Sequence, residues 1–401
     1  MITLIVGKIT IVAAKLICFL ISSTIVKMET SGYVEGVGNI MGIHFFTGFP
    51  GFITSQLIRT VFKKGMTNNV VVVVLSTEIG KAEKESQLIL QEYPNCHIEI
   101  IKGDITLPNL AISEETIKRV ANDITIFWHL AAIYDLAVPR DLAWKVNVHG
   151  TSMVNNFVKA LPNLQRYMYV STAYVAGMRE GVLLETELLR PTQFKNHYEE
   201  TKYEAELLVE DLKLQVPLTI IRPGIVRGHS ETGETIKFDG PYFFLNMIDR
   251  LKSLPFIPYI GKSSATINVV PIDFILNAAT FICEEESAEG LTLHLTDPNP
   301  HPVQEVYRMM VKEMTGKSPK GRLPLALTRK TMEVKGFRKF LGVEIETLDY
   351  LTWNATFDCT QAKEVLKKGN ITCADFIATI PTMVKFYNEH KHNKNYHIEI
   401  K

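Results

Sequence analysis

The sequence predicts an α/β fold in which helices cover both faces of a parallel sheet, with a smaller mixed α/β cap toward the C-terminus. From Ile43 onward, apolar runs of about five residues alternate with longer amphipathic stretches, the pattern of repeated strand-helix-strand units. Runs such as Val70 to Leu75 are apolar without alternation, as expected for strands buried on both faces. A glycine-containing turn follows the first run directly. Together these observations predict a doubly wound parallel sheet.

The predicted strands follow one another as far as residue 228, and the end of this series gives the boundary of the first domain. In order they are "IHFFTG", "NVVVVVLS", "HIEIIKGD", "ITIFWHLAA", "QRYMYVSTAYV" and "PLTIIRPG". We therefore predict a sheet domain over residues 41–228, which a further strand and helix rejoin at about 267–285. Residues 229–266 and 286–401 are predicted to form the cap and tail, because "HSETGETIKFDGPYFF" is too long and polar for a simple connector.

Composition indicates a globular protein with no net electrostatic field. The 43 basic residues balance 43 acidic ones, which argues against nucleic acid as a partner. The five cysteines are far apart and form no CxxC pair, so neither a disulfide framework nor a zinc site is predicted. A cytoplasmic location fits this cysteine usage.

Residues 1–40 form an apolar leader whose place in the mature fold stays open. Lys8 and Lys15 interrupt the apolar sequence, and the uncharged stretch that follows, residues 16–26, is shorter than the roughly 20 residues of a spanning helix. Membrane contact through residues 1–27 is therefore disfavoured, and Met28 or Met41 can serve as the start. Membrane association through this leader remains the alternative to a cytoplasmic location.

The turn after the first strand, "FFTGFPGFIT", places glycines where a phosphate could approach the backbone. Gly48 and Gly51 precede a helical stretch, and the N–H groups and dipole of a helix N-terminus favour an anion. As a dinucleotide fingerprint the motif is incomplete, since Thr47 and Thr54 stand where further glycines would be. Its position after the first strand favours a Rossmann-type dinucleotide site over a plain strand-to-helix turn.

The end of the second strand bears on the choice of nicotinamide cofactor. Ser76 and Thr77 stand where NAD-binding domains place an acidic residue, and Lys81 and Lys84 follow. Hydroxyl groups with nearby lysines suit a 2′-phosphate better than a carboxylate would. NADP(H) is therefore favoured, while Glu78 keeps NAD(H) open.

Two Tyr-x-x-x-Lys pairs occur, Tyr198 with Lys202 and Tyr387 with Lys391. Upstream of the first pair, in "YVSTAYVAG", an apolar strand ends in Ser171 and Thr172, whereas no strand-end hydroxyl precedes the second pair. Tyr acts as an acid near neutral pH only if its pKa falls from about 10, which an ammonium one helical turn away can cause. A Thr hydroxyl beside it can hold the substrate oxygen. We therefore predict that Thr172, Tyr198 and Lys202 are catalytic and that the second pair is ordinary.

These residues belong to a longer series of phrases that resembles a known family. The phrases "TGFPGF", "KGDIT", "HLAAIYDL", "NVHGT", "VSTAYVAG", "YEETK", "RPGIVRGHSETGE" and "NVVPIDF" follow one another over about residues 43–274. In these phrases the chain resembles the extended short-chain dehydrogenase/reductase (SDR) family, and within it the thioester reductase and fatty acyl-CoA reductase branch.

The resemblance implies a Rossmann-type NAD(P)-binding domain, a substrate-binding cap and a role for each matched residue. Asp104 would meet the adenine edge, Asn147 would support the active site through a structural bond, and Pro223 would begin the nicotinamide contact. Each has a plain alternative: a turn at Asp104, a buried amide at Asn147 and a strand end at Pro223. The implied cofactor-binding residues are Thr47, Gly48, Phe49, Pro50, Gly51, Phe52, Ser76, Asp104, Ala131, Ala132, Asn147, Tyr198, Lys202, Pro223, Gly224, Ile225 and Val226.

The function implied by the resemblance is an NAD(P)H-dependent reductase that transfers hydride to an acyl thioester or the derived aldehyde. Acyl-CoA or an acyl carrier protein would supply the acyl group, and a homodimer stays open. The alternatives are a nucleotide-sugar epimerase or dehydratase, a hydroxysteroid-type alcohol dehydrogenase and a non-catalytic NADP sensor. His229 is interpreted as a loop residue and "HKHNK" as a tail, so no metal is predicted.

Overall fold

The computed structural model describes residues 42–134 and 138–400 of the chain. The predicted leader, residues 1–40, and the membrane contact considered for residues 1–27 lie outside the described residues. The strands are β1 (Ile43–Thr47), β2 (Asn69–Val74), β3 (His97–Lys102), β4 (Ile124–His129), β5 (Arg166–Val170), β6 (Gly181–Leu183), β7 (Leu218–Pro223), β8 (Ile225–Arg227), β9 (Tyr259–Ile260), β10 (Val269–Pro271), β11 (Thr292–Leu295), β12 (Arg322–Leu323) and β13 (Ala355–Phe357).

The helices alternate with these strands and then dominate the C-terminal third. They are α1 (Phe52–Lys63), α2 (Ile79–Glu92), α3 (Glu114–Val120), α4 (Arg140–Ala143), α5 (Gly150–Lys159), α6 (His197–Glu210), α7 (Tyr242–Leu251), α8 (Ile272–Glu284), α9 (Val303–Thr315), α10 (Leu325–Met332), α11 (Lys335–Leu341), α12 (Thr347–Tyr350), α13 (Thr360–Lys368) and α14 (Phe376–His390). A π-helical segment, Trp144–His149, joins α4 to α5 without a break. Within the described part of the chain, no helix is both long and apolar enough to span a bilayer.

Seven strands form one parallel sheet in the order β11-β7-β5-β4-β1-β2-β3. From β1 the chain winds outward through β2 and β3, and then returns to β4 on the other side. The loops after β1 and β4 therefore diverge at the carboxyl edge of the sheet, the place where doubly wound folds bind their ligands. The predicted doubly wound α/β fold is confirmed.

Helices cover the sheet on both faces because neighbouring residues of each strand point to opposite sides. In β1, Phe46 packs in one core with Leu57 of α1 and Ile275 of α8. Phe45 packs in the other core, where its ring lies 5.6 Å from that of Phe157 in α5. This two-sided burial explains why the strands read as unbroken apolar runs.

The sheet core extends further along the chain than the sequence indicated. Strand β11, Thr292–Leu295, pairs with β7 and forms the outer strand on that side, although it lies in the range predicted as cap. Helix α13 also contributes Val365 and Leu366 to the core on the α1 face. The run "TLHL" was missed because it is short and carries a histidine. The boundaries of the sheet domain and cap remain a prediction.

A second hydrophobic core lies in the region predicted as cap. Helices α7, α9 and α14 contribute to it through residues such as Leu245, Val306 and Met383. Short parallel pairs lie outside the main sheet: β8 with β10, β9 with β12 and β6 with β13. Of these, the β6–β13 pair joins the predicted sheet domain to the predicted cap. The β6–β13 pair brings β13, which follows α12, close to the first half of the chain.

Candidate active site

The turn after β1 fits the approach of a phosphate group. Gly48 has φ +93°, and a β-carbon there would lie 2.9 Å from the backbone nitrogen of Ala131. A β-carbon on Gly51 would lie 2.7 Å from the Gly48 carbonyl oxygen. Gly51 is the N-cap of α1, and no side chain caps that helix. The turn thus presents a glycine backbone and helical N–H groups together, which fits the pyrophosphate of a dinucleotide.

The other residues of this turn have distinct positions. Phe49 and Pro50 link the two glycines, and Phe52 begins α1. The Thr47 hydroxyl accepts a hydrogen bond from the Ala131 nitrogen at 3.3 Å and lies 2.7 Å from His129 Nδ1. The Thr47 side chain therefore joins the ends of β1 and β4 and does not point at an open site.

At the end of β2, Ser76 and Thr77 are exposed, as a cofactor contact requires. Glu78 forms an ion pair with Lys81 at 2.8 Å, so its carboxylate is partly neutralised by the chain itself. The Asp104 carboxylate holds a local turn: its Oδ1 accepts from the nitrogen and the hydroxyl of Thr106, each at 2.8 Å. This local turn is the structural role considered above as the alternative to an adenine contact for Asp104, and it uses only one of the two carboxylate oxygens.

Asn147 lies in the π-helical segment, a helix irregularity often found at functional sites. Its Oδ1 accepts from the Ile133 nitrogen at 2.8 Å, and its Nδ2 donates to the Ile133 oxygen and to the Thr201 hydroxyl, both at 3.0 Å. Asn147 therefore fixes the loop containing Ala131 and Ala132 against helix α6. Its side chain therefore has structural partners, and its role in supporting the active site stays a prediction.

Residues Pro223 to Val226 cross from β7 into β8 at the carboxyl edge of the sheet. A β-carbon on Gly224 would lie 2.7 Å from Asn268 Oδ1, and the Ile225 nitrogen donates to the Asn268 oxygen at 3.0 Å. Ile225 and Val226 are half-buried. A side chain at position 224 would therefore collide with Asn268, so glycine is required here for packing. The part of Gly224 at the carboxyl edge of the sheet is backbone alone.

Thr172 and Tyr198 are brought together by β5 and α6. Thr172 lies two residues after the end of β5, and its hydroxyl accepts from the Tyr174 nitrogen at 3.3 Å. Tyr198 lies in the first turn of α6, whose N-cap Asn196 accepts from the Glu199 nitrogen at 2.9 Å. Burial raises the pKa of Tyr198 to about 12, and a hydrogen bond with the Thr172 side chain acts in the opposite direction. The Tyr198 hydroxyl is therefore protonated at neutral pH.

Lys202 lies one turn further along α6, and its ammonium binds oxygens of β5. Its Nζ donates to the Tyr169 hydroxyl at 3.0 Å and to the Val170 oxygen at 2.8 Å. Burial lowers the pKa of Lys202 to about 7, while Glu206 opposes this shift. The expectation that Lys202 lowers the pKa of Tyr198 is wrong for this arrangement, because burial governs Tyr198 and the ammonium binds oxygens of β5.

A chain of contacts links Lys202 to the glycine turn. The rings of Tyr169 and His129 lie 5.6 Å apart, and His129 contacts Thr47, the residue before Gly48. His129 Nε2 also lies 3.1 Å from the Thr151 hydroxyl. Burial lowers the pKa of His129 to about 3, so the imidazole is neutral. The phosphate-type turn and the Tyr-Lys helix thus belong to one edge of the sheet.

A buried acidic residue supports this edge and was missed in the sequence. Glu206 is fully buried on α6 and accepts from Arg222 Nε at 2.8 Å and from the Ser171 hydroxyl. Arg222 lies in β7 and also reaches His294 Nε2 at 3.2 Å. Glu206 therefore fixes α6 to the end of β5, next to Thr172. The signal available in the sequence was that Glu206 follows Lys202 by four residues, which places the two on the same face of a helix.

A second missed group surrounds the start of α6. The Lys195 Nζ lies 3.6 Å from the centre of the Trp353 ring and donates to the Gly177 oxygen at 2.6 Å. Glu199, fully buried, accepts from the Tyr350 hydroxyl at 2.9 Å and lies 3.7 Å from Lys195. Burial raises the pKa of Glu199 and lowers that of Lys195, and each opposes the shift of the other. Residues near position 350 thus hold the helix turn that carries Tyr198.

The second Tyr-x-x-x-Lys pair is structural. Tyr387 donates to Asn246 Oδ1 at 3.0 Å, and Lys391 binds Asp249 at 2.7 Å, so both tie α14 to α7. His229 accepts a local bond from the Glu231 nitrogen at 3.2 Å, as a loop residue would. No group of three or more metal-ligating side chains occurs within residues 42–134 and 138–400.

Curated proteins include relatives of this chain. The chain is 30% identical over 208 residues to the fatty acyl-CoA reductase wat of Drosophila melanogaster, covering 46% of this chain and 40% of that protein. It is 25% identical over 298 residues to the non-canonical nonribosomal peptide synthetase cpsA of Aspergillus campestris, covering 69% of this chain and 28% of that protein. The chain thus spans less than half the length of each of these two curated relatives.

Solved structures share the fold. The terminal R domain of the myxalamid PKS-NRPS pathway superposes with a TM-score of 0.74 at 21% identity, covering 89% of this chain and 93% of that one. MoeE5, solved with UDP-glucose and NAD, superposes with a TM-score of 0.58 at 21% identity, covering 87% of this chain and 100% of that one. At these identities the likeness shows the fold alone.

Residues 46–279 match the NAD-binding family described as "Male sterility protein". The match covers more than half of the chain and includes every residue proposed above for the catalytic group. The chain therefore belongs to the male sterility protein family of NAD-binding domains, which confirms the resemblance to the thioester reductase and fatty acyl-CoA reductase branch of the extended SDR family.

Proposed function

We propose that the chain is an NADP(H)-dependent reductase that acts on an acyl thioester or the derived aldehyde, with Thr172, Tyr198 and Lys202 as its catalytic residues. The observation that carries this proposal is the placement of Thr172, just after β5, beside the helix on which Tyr198 and Lys202 lie one turn apart, with Lys202 bonded to the end of β5. The glycine turn lies at the same edge of the sheet. Family membership supports the nicotinamide cofactor.

In the proposed reaction, Thr172 and Tyr198 bind the carbonyl oxygen of the substrate. When bound, the reduced nicotinamide supplies a hydride to the carbonyl carbon. With an aldehyde, Tyr198 gives its proton to the oxygen and an alcohol forms. With a thioester, the same addition and protonation give a hemithioacetal, which collapses to the aldehyde and a free thiol. Although the pKa of Tyr198 is raised and not lowered, its hydroxyl holds the required proton at neutral pH and can give it to the alkoxide oxygen that hydride addition creates, because an alkoxide is a far stronger base than a phenolate.

The remaining residues would hold the cofactor. Gly48 and Gly51 would receive the pyrophosphate, and Ser76 would lie near the adenosine ribose. NADP(H) is favoured over NAD(H) because Ser76 and Thr77 are exposed while Glu78 is paired with Lys81, which reduces its repulsion toward a 2′-phosphate. The thiols support a reducing compartment: among the described residues, Cys96, Cys283, Cys359 and Cys373 are all free.

The source of the acyl group is proposed from the relatives. One relative is described as a fatty acyl-CoA reductase, and a solved neighbour is a thiolation-reductase di-domain. We therefore propose acyl-CoA or an acyl group on a carrier protein as the substrate. A nucleotide-sugar epimerase is the second candidate, because epimerases and MoeE5 share this fold. Such an enzyme returns its cofactor unchanged, which an assay can detect.

The test is oxidation of NADPH or NADH, followed by absorbance, with the full chain and a panel of acyl-CoA esters and long-chain aldehydes. We expect NADPH consumption with a thioester and a loss of at least about a hundredfold in Tyr198→Phe, the usual scale for a general acid. Tyr387→Phe is the matched control, since it makes the same change at the same spacing outside the site. Equal loss in both variants, or cofactor binding without consumption, would remove the reductase proposal.

A further inference from the structure

Helices α10 and α11 form a hairpin whose outer surface is both apolar and basic. Five large apolar side chains on it or just before it are between 38% and 61% exposed: Leu323, Leu327, Val334, Phe337 and Phe340. Two more exposed apolar residues, Leu254 and Phe256, lie in the loop that leads to β9. Strand β9 pairs with β12, the strand that enters the hairpin, so these residues belong to neighbouring segments. We call this surface the hairpin face.

The charge of the hairpin face departs from the neutral balance of the chain. Between residues 317 and 341 there are eight lysines and arginines and one acidic residue, Glu333. Lys330, Lys335 and Lys339 are exposed among the apolar side chains. Arg329 is paired with Asp349 at 2.5 Å, so part of the positive charge is balanced locally. A local excess of cations nevertheless remains on a chain with no net charge.

The inner side of the same hairpin closes an apolar cavity. Met332 of α10 and Leu341 of α11 line it together with Phe243 and Met247 of α7, and its volume is about 30 Å³. Leu351 also lines the cavity and follows Tyr350, whose hydroxyl binds Glu199 beside Tyr198. The cavity lining beneath the hairpin therefore includes a neighbour of Tyr350, the residue that holds the start of α6.

We propose that the hairpin face docks on the surface of a bilayer that contains anionic lipids. Exposed Phe and Leu side chains interleaved with lysines have the composition of an interfacial membrane contact, in which apolar groups enter the headgroup boundary and cations meet anionic lipid. The docking itself is independent of the reaction. The advantage of docking rests on the proposed function. A chain docked on a bilayer would take up an apolar acyl substrate at the side of the molecule where the cavity lies.

Two other occupants fit the hairpin face less well. Lysine is depleted in the cores of protein interfaces, whereas lysines here lie between the apolar residues. A symmetric dimer through this face would bring each basic patch against its own copy and so oppose like charges. An acidic carrier protein would satisfy the charge and is therefore a separate outcome of the experiment.

The test is co-sedimentation of the full chain with vesicles of phosphatidylcholine alone, or of phosphatidylcholine and phosphatidylserine in equal amounts. We expect binding to the anionic vesicles that weakens with added salt. Lys335→Gln/Lys339→Gln should lower the partition coefficient by up to about thirtyfold, because each basic residue near an anionic surface contributes about a fivefold effect. Phe337→Ser/Phe340→Ser should lower it by about tenfold or more, because two apolar side chains no longer enter the boundary.

Matched controls carry the same changes on other surfaces. Leu88→Ser/Leu214→Ser alters side chains that are 51% and 100% exposed, and Lys118→Gln/Lys159→Gln removes two exposed charges. Both controls should bind vesicles as the unchanged chain does, which also separates the hairpin face from any contribution of residues 1–40.

Absence of binding to anionic vesicles, or equal binding by the hairpin variants, would overturn the proposal. If the hairpin variants kept vesicle binding but lost only turnover of a thioester held on a carrier protein, the face would be a protein-docking site and the membrane proposal would fall. Vesicle binding is measured without turnover, so failure of the reductase proposal leaves this test intact.

Discussion

Replacing Glu206 by glutamine should destabilise the chain strongly, although the change removes only one charge. Glu206 is fully buried, and its partner Arg222 is also buried, with Nε 2.8 Å from Oε1. The glutamine keeps the shape of the side chain but leaves the Arg222 guanidinium without its counter-charge. The Ser171 hydroxyl loses its carboxylate acceptor as well. Both losses occur where water cannot replace the missing interaction.

The magnitude follows from this burial. Breaking a buried ion pair by removing one partner costs about 3–5 kcal/mol, because an uncompensated charge remains inside the protein. An exposed pair on the same helix provides the comparison. Glu204 of α6 pairs with Arg190, whose side chain is 59% exposed. Glu204→Gln should cost no more than about 1 kcal/mol, since exposed pairs are weak.

The assay is urea unfolding of the full chain, followed by circular dichroism, with both variants side by side. A second readout is the pKa of Lys202, which Glu206 raises, so Glu206→Gln should shift it further downward. The reasoning would be refuted if the free energies of unfolding of the two variants agreed within about 1 kcal/mol, the most that an exposed pair usually contributes. In that case the contacts of Glu206 would not be those of a buried pair.

Three further predictions concern the candidate site. Gly48→Ala places a side chain at φ +93° and directs it toward the Ala131 nitrogen, so the free energy of unfolding should fall by about 1–3 kcal/mol. NADPH affinity, measured by fluorescence titration, should also fall, and unchanged affinity would remove Gly48 from the cofactor turn. Trp353→Leu removes the ring 3.6 Å from the Lys195 ammonium and should cost about 2 kcal/mol or more in denaturant unfolding; a cost below about 0.5 kcal/mol would mean that the contact is weak. Because the pKa of Lys202 is lowered to about 7, its cation is present below that pH and is lost above it, so kcat should fall as pH rises through about 7. Lys202→Gln should abolish this fall, and a profile of equal shape in that variant would assign it to another group.

Much of the fold could be predicted because local sequence and burial agree. The strands are buried on both faces, so apolar runs such as Val70 to Val74 were visible without any knowledge of the fold. The glycine turn was also visible, since Gly48 and Gly51 must lack side chains for reasons that act within a few residues and one neighbouring loop. Strand β11 escaped because four residues carry little pattern and its place beside β7 is a matter of topology.

The candidate site also contains residues that the sequence indicated and residues that it did not. Spacing along one helix indicated Tyr198 and Lys202, and the strand end indicated Thr172. The partners of these residues come from distant segments: Tyr350 and Trp353 meet α6 from far along the chain, and no local pattern marks them. The direction of the Tyr198 pKa also could not be predicted, because helical spacing does not reveal that Lys202 binds β5.

The measurement that tests the central claim most directly is the fate of a deuterium label. The full chain would be incubated with NADPH deuterated at the transferring position and an acyl-CoA ester, and the products would be analysed by mass spectrometry. Hydride transfer predicts deuterium on the former carbonyl carbon of the aldehyde or alcohol, and none in product with Tyr198→Phe over the same time. Deuterium that stays in the cofactor, with the thioester unchanged across the panel, would contradict the account.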